Sequence, residues 1–233
     1  MSYFIPSLIL SLGIVSSSYI LRNSIENYRN FGRFVEVKGL DEKIVKANVA
    51  NWELNFTVVG DDLKKLYPQI SFAQNKIIEF LKENGFTEEE IEKQSISIND
   101  AKANAYSTER PSARFTANSG INLKTNKVDK VNTVVQKTGA VIESGIVLNT
   151  NHVKYLFTDL NTIKPDMLAR ATENAREAAN TFAKNSNSHV GSIKKATQGL
   201  FTISPASSEN NDYDNGSILK KVRVVTTVEF FIN

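Results

Sequence analysis

The sequence has 233 residues, with 28 Lys and Arg against 25 Asp and Glu, two histidines and no cysteine. That length is enough for one complex domain or two small ones with a real hydrophobic core, and the composition excludes disorder for most of the chain. The lack of cysteine excludes disulfides, thiolate metal sites and cysteine nucleophiles, and a net charge of +3 gives no reason to expect nucleic-acid binding.

The first 21 residues stand apart, because they contain no Asp, Glu, Lys or Arg. Tyr3–Leu21 is 19 residues long, close to the roughly 20 apolar residues with which a helix crosses a bilayer. The sequence therefore predicts one N-terminal transmembrane helix as a membrane anchor over residues 1–21, followed by a juxtamembrane linker over residues 22–33. A cleaved signal peptide is the first alternative, although the segment lacks a basic start and Ser16–Ser18 imitate a cleavage site poorly. A buried core helix is the second.

The cationic residues beside this segment bear on its orientation. Arg22, Arg29 and Arg33 follow it closely, and no Lys or Arg precedes it. Positive residues are enriched on the cytoplasmic side of membrane spans, so this distribution by itself predicts a body inside the cytoplasm.

Two strands are predicted at the start of the body. A short alternating run begins at Phe34 and stops at Gly39. The run from Lys46 to Val58 is typical of a half-buried strand, because every second residue from Ala50 to Val58 is apolar, Trp52 among them.

The next segment has the three- and four-residue spacing of a helix that buries one face. Asp61 is a candidate N-cap, Gly85 follows the last turn, and Phe86 can pack back on the helix. Thr87–Glu90 reads as a capping box for a short helical turn. The apolar stripe of the helix consists of Leu63, Leu66, Ile70, Ala73, Ile77 and Leu81.

In the middle of the chain, alternation predicts a strand from Phe115 to Lys124, followed by a helix that Gly139 ends. Residues 140–148 alternate again and predict a further strand. Residues 149–152, with His152 among them, read as a polar turn that leads into a strand over 153–157, so a hairpin is expected there.

A third helix is predicted to open at Pro165 and to lie tight against a sheet, since its apolar face is mostly alanine. Residues 190–203 and 218–232 read as the final strands, joined by a solvated loop over 205–217. Both faces of the last strand are partly apolar, which favours a position well inside a sheet or at a subunit contact. The predicted apolar face of the third helix consists of Leu168, Ala171, Ala175, Ala178 and Phe182.

The predicted fold class is α+β. No linker divides the chain, so residues 34–233 are expected to form one body with two lobes, each made of antiparallel or mixed sheet packed with helices, about three in all.

The sequence shows no familiar catalytic or metal-binding pattern. His152 and His189 are the two histidines, and no serine lies in a G-x-S-x-G turn. Metal-ligand spacings and phosphate-binding glycine loops are missing, and the acidic loop lacks an oxygen ligand at the third and twelfth positions of a calcium loop. No catalytic residue, cofactor or metal is therefore predicted. Trp52 is interpreted as a core residue, with ligand stacking as the alternative.

Four stretches resemble the SIMPL-domain family of YggE-like envelope proteins. FVEVKG from Phe34 resembles the family's opening strand. The stretch LKENGFTEEEIEKQSISI resembles the end of the family's first helix and the passage after it. ARFTANSGINLKTNKVDKVNTVV resembles the middle strand and helix, and DMLARATENAREAANTFAK the alanine-rich helix. The resemblance covers Phe34 to Asn233. It implies an extracytoplasmic protein of the bacterial envelope, often linked to oxidative stress and in some members assembled into rings, with no established catalytic residues.

The expected function is therefore that of a non-enzymatic, membrane-anchored envelope protein that self-associates as a scaffold or binding module. Its body is expected in the periplasm, tethered to the inner membrane by a single span or released there after cleavage. The expected partners are the membrane and further copies of the chain, without nucleic acid. The alternative is a small-molecule or peptide binder that uses a groove between the lobes; a hydrolase with an unfamiliar site is a third hypothesis. Candidate ligand or interface residues are Trp52, Tyr106, Tyr155 and Phe231.

Overall fold

The structure is a computed structural model that describes residues 32–103, 113–207 and 216–233, together with Gly13, Ser16–Ser18 and Leu21. These residues form an α+β protein with two sheets, as the sequence predicts. Most of the predicted anchor over 1–21 and linker over 22–33 lies outside the described residues. Within the described part of the chain, no helix combines the length and the apolar character needed to cross a bilayer.

The helices and strands are numbered here in chain order. The strands are β1 (Phe34–Lys46), β2 (Val49–Gly60), β3 (Ile91–Lys93), β4 (Ser97–Asp100), β5 (Phe115–Thr125), β6 (Leu148–Leu156), β7 (Val190–Gln198), β8 (Thr202–Pro205) and β9 (Leu219–Ile232). The helices are α1 (Leu63–Glu83), α2 (Val128–Val134), α3 (Gly139–Glu143) and α4 (Leu160–Asn185), with short 3-10 turns at Glu88–Glu90 and Val135–Lys137.

The chain divides into two compact units, which agrees with the predicted two lobes. The first unit contains the chain up to Lys43, then Asn161–Thr202 and Val222–Asn233. The second contains Ile44–Leu160 and Ile203–Lys221.

The first unit packs α4 against a sheet with the strand order β1-β9-β7. The predicted central position of the last strand is confirmed, because β9 lies between two neighbours. Val37, Val228 and Phe230 of the sheet form a core with the buried alanines of α4. A Cβ on Gly39 of β1 would overlap the carbonyl oxygen of Ala171, so glycine lets the helix backbone approach the sheet this closely.

Two predictions for this unit are wrong in detail. β1 does not stop at Gly39 but continues to Lys46, because this glycine serves the close helix contact instead of a turn. Likewise α4 begins at Leu160, five residues before Pro165, and its buried face is rotated from the predicted one, so that the Phe182 side chain is 61% exposed. The buried residues of α4 are Met167, Ala171, Ala175, Ala179 and Ala183.

The second unit is a five-stranded sheet with the order β3-β5-β2-β6, in which β4 also pairs with β5. All four described pairings in this sheet are antiparallel. One sheet face carries Trp52, Leu54 and Phe56 and packs against the apolar stripe of α1 and against α2. This is the larger of the two cores, and it contains the buried residues of the predicted apolar stripe, with Leu63 alone exposed.

The ends of α1 follow local rules closely. Asp62, one residue later than predicted, is the N-cap, and its Oδ1 accepts from the Lys64 amide at 2.9 Å. Gly85 takes a φ of 81°, and the Phe86 amide donates a hydrogen bond to the Leu81 carbonyl. Both features are typical of a helix C-terminus, so the predicted end of α1 is confirmed. The capping box at Thr87–Glu90 is also confirmed.

The prediction for residues 140–152 is wrong. Residues 139–143 form α3 where a strand was expected, and Gly145, with a φ of 87°, turns the chain before β6. The expected turn at 149–152 lies inside β6, where His152 pairs with Glu53 of β2. The neighbouring strand supplies partners for this polar stretch, so no hairpin forms.

Candidate functional site

The candidate site of the second unit arises because two neighbouring strands differ in length. β2 stays paired with β5 as far as Gly60, which is opposite Phe115. On its other side, β6 pairs with β2 only as far as Phe56, opposite Leu148, with an irregularity in register beside Asn55. Among the described pairings, the Thr57–Gly60 end of β2 therefore has a strand on one side only.

An open cavity of about 450 Å³ fills the space beside this strand end. The chain that would have continued β6 turns away at Gly145, and α1 forms the opposite wall. Val59, Phe72 and Val147 leave much of their side chains exposed around it, Val147 as much as 72%. Its lining residues are Phe56, Thr57, Val58, Val59, Pro68, Gln69, Phe72, Ala73, Gly145, Ile146 and Val147.

Among the described residues that line the cavity, none is charged, and the polar side chains are Thr57 and Gln69. The Thr57 hydroxyl is engaged with Asn118 at 2.6 Å and Asn149 at 3.0 Å, so it adds little free hydrogen-bonding capacity. Lys65 is exposed and lies one helical turn before Gln69 on the same face of α1. The described residues thus form an apolar cavity, and Lys65 is a cation on the face of α1 that carries its lining residue Gln69.

Sequence reasoning did not find this site. Phe72 carried one usable signal, since it is a large aromatic residue of α1 outside the apolar stripe and is 53% exposed. Val147 gave no comparable signal, because residues 140–148 read as a strand. The cavity depends on where β6 stops pairing with β2, which is a contact between residues about 90 positions apart.

Two of the candidate residues lie in the core of the second unit. Trp52 is fully buried, packs edge-on against Phe80 at 6.4 Å and donates from Nε1 to Asn151 Oδ1 at 2.8 Å. Tyr155 is also buried, and burial, with a smaller contribution from Asp129, raises the pKa of its hydroxyl. Both rings therefore lie in closed core and not in an open groove, which weighs against a ligand-contacting role, and neither lines the cavity.

The other two candidates have different settings. Phe231 lies in β9 of the first unit and is half-buried. Tyr106 lies outside the described residues. The proposed ligand or interface role of these residues stays a prediction.

The histidines do not assemble a recognisable site. His152 lies in β6 on the exposed sheet face, and His189 precedes β7, where its backbone exchanges hydrogen bonds with Asn233 at 2.8 and 3.0 Å. Among the described residues, no group of three or more His, Cys, Asp or Glu side chains is placed to hold a metal ion.

The outer face of the second unit's sheet carries several amide side chains. Asn51 and Asn55 of β2 and Asn122 of β5 each have a buried Oδ1 without a hydrogen-bond partner. A Cβ on Gly120 would overlap the Asn55 side chain, so this glycine makes room for that amide. Buried amide oxygens of this kind cost free energy unless water or a ligand supplies the donor.

Residues 35–230 match the SIMPL family, which is described as a protein of unknown function (DUF541). The chain belongs to the SIMPL family. A crystal structure of an uncharacterized conserved protein from Listeria innocua is also similar to this SIMPL-domain protein, at 12% identity over 79% of this chain and 91% of that chain, with a TM-score of 0.22. A comparison with curated proteins finds no match.

Family membership confirms the resemblance seen in the four sequence stretches. The family's function is unknown, so it assigns no role to any residue of this SIMPL domain.

Proposed function

We propose that this SIMPL-domain protein is a non-enzymatic, membrane-tethered envelope protein whose body lies outside the inner membrane and acts through contact with further copies of itself. The observation that carries the self-association is the open face of the first unit's sheet. α4 packs on one face of that sheet, and the other face leaves apolar side chains exposed to solvent.

This open face combines apolar residues with charges of both signs. Phe34 and Leu40 of β1 are 44% and 39% exposed, and Val225 and Phe231 of β9 are half-buried beside them. The register places these residues opposite the side that packs on the alanines of α4, because successive strand residues point to opposite faces.

Charged pairs on the first unit's sheet support a face-to-face contact. Glu42 pairs with Arg223 at 3.5 Å and Glu229 with Lys194 at 3.1 Å, so acidic and basic groups alternate across it. Such a mixed surface is complementary to a second copy turned through 180°, as in a two-fold dimer.

One edge of this sheet, at β7, is less suited to association. β7 is an edge strand, and it carries Lys194 and Lys195. Lysines on an edge strand discourage pairing with a strand of another molecule. The face is therefore preferred over the β7 edge as the contact surface.

The tether and the compartment rest on the sequence. The charge-free Tyr3–Leu21 segment is long enough to anchor the chain, and the resemblance to YggE-like proteins favours the periplasm. The opposite orientation is favoured by Arg22, Arg29 and Arg33. This proposal gives more weight to the family resemblance than to these three arginines. A role in envelope or oxidative stress is the setting that the same resemblance favours.

The self-association is tested on the full chain reconstituted in nanodiscs or mild detergent, by light scattering after size exclusion. The wild-type chain is expected to form a dimer or a larger oligomer at micromolar concentrations. Leu40→Glu should shift the equilibrium toward the monomer, because association would bury the new carboxylate at the contact.

Phe182→Glu is the matched control, since Phe182 is an exposed apolar residue of α4 in the same unit. It should leave the oligomer unchanged. A wild-type chain that stays monomeric over the whole concentration range would overturn the self-association.

The compartment is tested by fusing alkaline phosphatase, which is active only outside the cytoplasm, to the C-terminus. An active fusion agrees with a periplasmic body. An inactive fusion present at normal levels would place the body inside, as the three arginines predict.

A further inference from the structure

We infer that the cavity beside the Thr57–Gly60 end of β2 binds an extended peptide segment, which adds a strand to β2, inserts one bulky apolar side chain into the cavity and places an acidic group near Lys65. This site is in the second unit and is independent of the open face proposed for self-association. Its failure and the failure of that proposal are therefore separate results.

The backbone of β2 supplies the first argument. Beyond Phe56, β2 pairs with β5 on one side and, among the described residues, with no strand on the other. Peptide N–H and C=O groups at such an edge are a template for a further strand. Addition of a peptide strand at an exposed edge is a recurring mode of recognition, in which backbone bonds provide affinity and side-chain pockets provide selectivity.

The cavity supplies the second argument. A strand placed next to Thr57–Gly60 points every second side chain to the same face. Phe72 of α1 and Val147 before β6 both line the cavity, and none of the described residues in its lining is charged. An apolar side chain of the added strand can fill it without leaving a charge buried and unpaired.

Charge supplies the third argument. Lys65 is exposed on the face of α1 that also carries Gln69 and Phe72, and it has no ion pair among the described residues. The Gln69 carboxamide likewise makes no hydrogen bond within the described part of the chain, so it is available to a peptide backbone. A carboxylate next to the inserted apolar residue would therefore meet a free cation at the rim.

The experiment uses a phage-displayed library of random octapeptides, selected against the full chain in nanodiscs. Phe72→Ala in the same nanodiscs serves for counter-selection. Peptides that carry a large apolar residue and, nearby, Asp or Glu are expected to be enriched. One enriched peptide is then synthesised with a fluorescent label and titrated in solution.

Two side-chain variants, each with a control variant, test the assignment. Phe72→Ala should weaken binding of that peptide about tenfold or more, as loss of a central apolar contact does. Tyr67→Ala is the matched control, since Tyr67 is an exposed aromatic residue of α1 that does not line the cavity, and it should change binding less than twofold. Lys65→Glu should weaken binding of the acidic peptide and strengthen binding of a version in which lysine replaces the acidic residue. Lys124→Glu, on the outer sheet face, is the control and should change neither affinity.

A modified peptide tests the strand addition itself. N-methylation at alternate residues removes the backbone donors while keeping the side chains, and one of the two alternate patterns should abolish binding. Binding of both N-methylated patterns at full strength would mean that the cavity accepts an apolar group alone, which overturns the proposal. So would the absence of any peptide enriched on the wild-type chain over Phe72→Ala, with both chains shown to be folded by circular dichroism.

Discussion

At the residue scale, the carboxylate of Glu90 joins three parts of the second unit. It accepts hydrogen bonds from Lys127 Nζ at 2.8 Å, Thr125 Oγ1 at 2.6 Å and the Thr87 amide at 2.8 Å. Burial by itself would raise the pKa of this carboxyl, but the three donors outweigh burial and lower the pKa to about 2.

This shift makes a pH-dependent contribution to stability. The folded-state pKa of Glu90 is below its ordinary value of 4.5, so its stabilisation is complete above about pH 4.5 and is lost as the pH falls toward about 2. At pH 7, Glu90→Gln should lower the free energy of unfolding by about 1–3 kcal/mol, as loss of a charge-assisted network does.

Denaturant titration followed by Trp52 fluorescence measures this effect, because Trp52 is the single tryptophan and lies in the same unit. The difference between wild type and Glu90→Gln should shrink between pH 4.5 and pH 2. Glu89→Gln, at an exposed neighbouring position, is the control and should have little effect at either pH. A difference that stays constant over this range would contradict the assigned role of the charge.

Gly39 is the second residue with a specific consequence. A Cβ there would overlap the Ala171 carbonyl oxygen of α4, which is backbone and cannot move aside as a side chain does. Gly39→Ala should therefore destabilise the first unit by about 1–3 kcal/mol. Hydrogen–deuterium exchange of the α4 amides measures the loss.

Gly139→Ala is the matched control, because a Cβ at Gly139 would have no atom within 4 Å. It should leave stability unchanged or raise it by up to about 1 kcal/mol. Equal exchange rates in Gly39→Ala and wild type would argue against the close contact.

At the scale of elements, α4 shows how a small rotation changes which residues are buried. The predicted stripe and the observed one share Ala171 and Ala175, which follow each other at a spacing of four. Toward the C-terminal end the observed face continues through Ala179 and Ala183, and Phe182 points to solvent. Hydrophobicity favoured Phe182 for the core, but the short distance to the sheet at Gly39 leaves room for alanine.

Substitutions at the two positions separate these alternatives. Ala179→Leu should cost about 1–3 kcal/mol by overpacking, because Ala179 has no exposed surface. Phe182→Ser should change the free energy of unfolding by less than about 0.5 kcal/mol, as exposed substitutions do. Thermal unfolding by circular dichroism compares them. A larger loss of stability for Phe182→Ser than for Ala179→Leu would mean that α4 buries the predicted face, with Phe182 in it.

The elements that could be predicted are those with long one-sided patterns and strong end signals. β2, β5, β9 and α1 agree with their predictions to within a few residues. α3 could not be predicted, because five residues satisfy a strand pattern as well as a helix pattern. The single strand β6 could not be predicted either. Residues 149–152 have the composition of a turn, and only their pairing with β2 holds them extended.

At the scale of the whole molecule, the chain combines two compact units with a charge-free N-terminal segment. The proposed contact surfaces are in different units, the open sheet face in the first and the cavity in the second. As a membrane tether, the N-terminal segment would hold both contact surfaces at the membrane.

The tether can be tested within the segment itself. A charged residue at the centre of a membrane span costs about 2.5–3.5 kcal/mol on insertion scales. Ile14→Arg should therefore shift the protein from the membrane pellet, after carbonate extraction, to the soluble fraction. Asn23→Arg, outside the charge-free segment, is the control and should stay in the pellet. Recovery of the wild-type chain in the soluble fraction would contradict an uncleaved anchor.

The sequence by itself determined the class and the family of this protein and much of the core of its second unit. Alternation in β2 and β5 and the stripe of α1 identified which residues face inward, since these patterns record one buried face directly. The order of four motifs identified the SIMPL family, and Gly85 with Thr87–Glu90 identified the end of α1.

Only the tertiary structure decided the candidate site. The cavity exists because β2 runs on to Gly60 while β6 joins it only at Phe56, and α1 faces the gap. The burial of Trp52 and Tyr155 was decided in the same way, by strands and helices that meet across the sheet. A local pattern records which face of an element is buried, whereas the length of a strand pairing depends on residues far away in the chain.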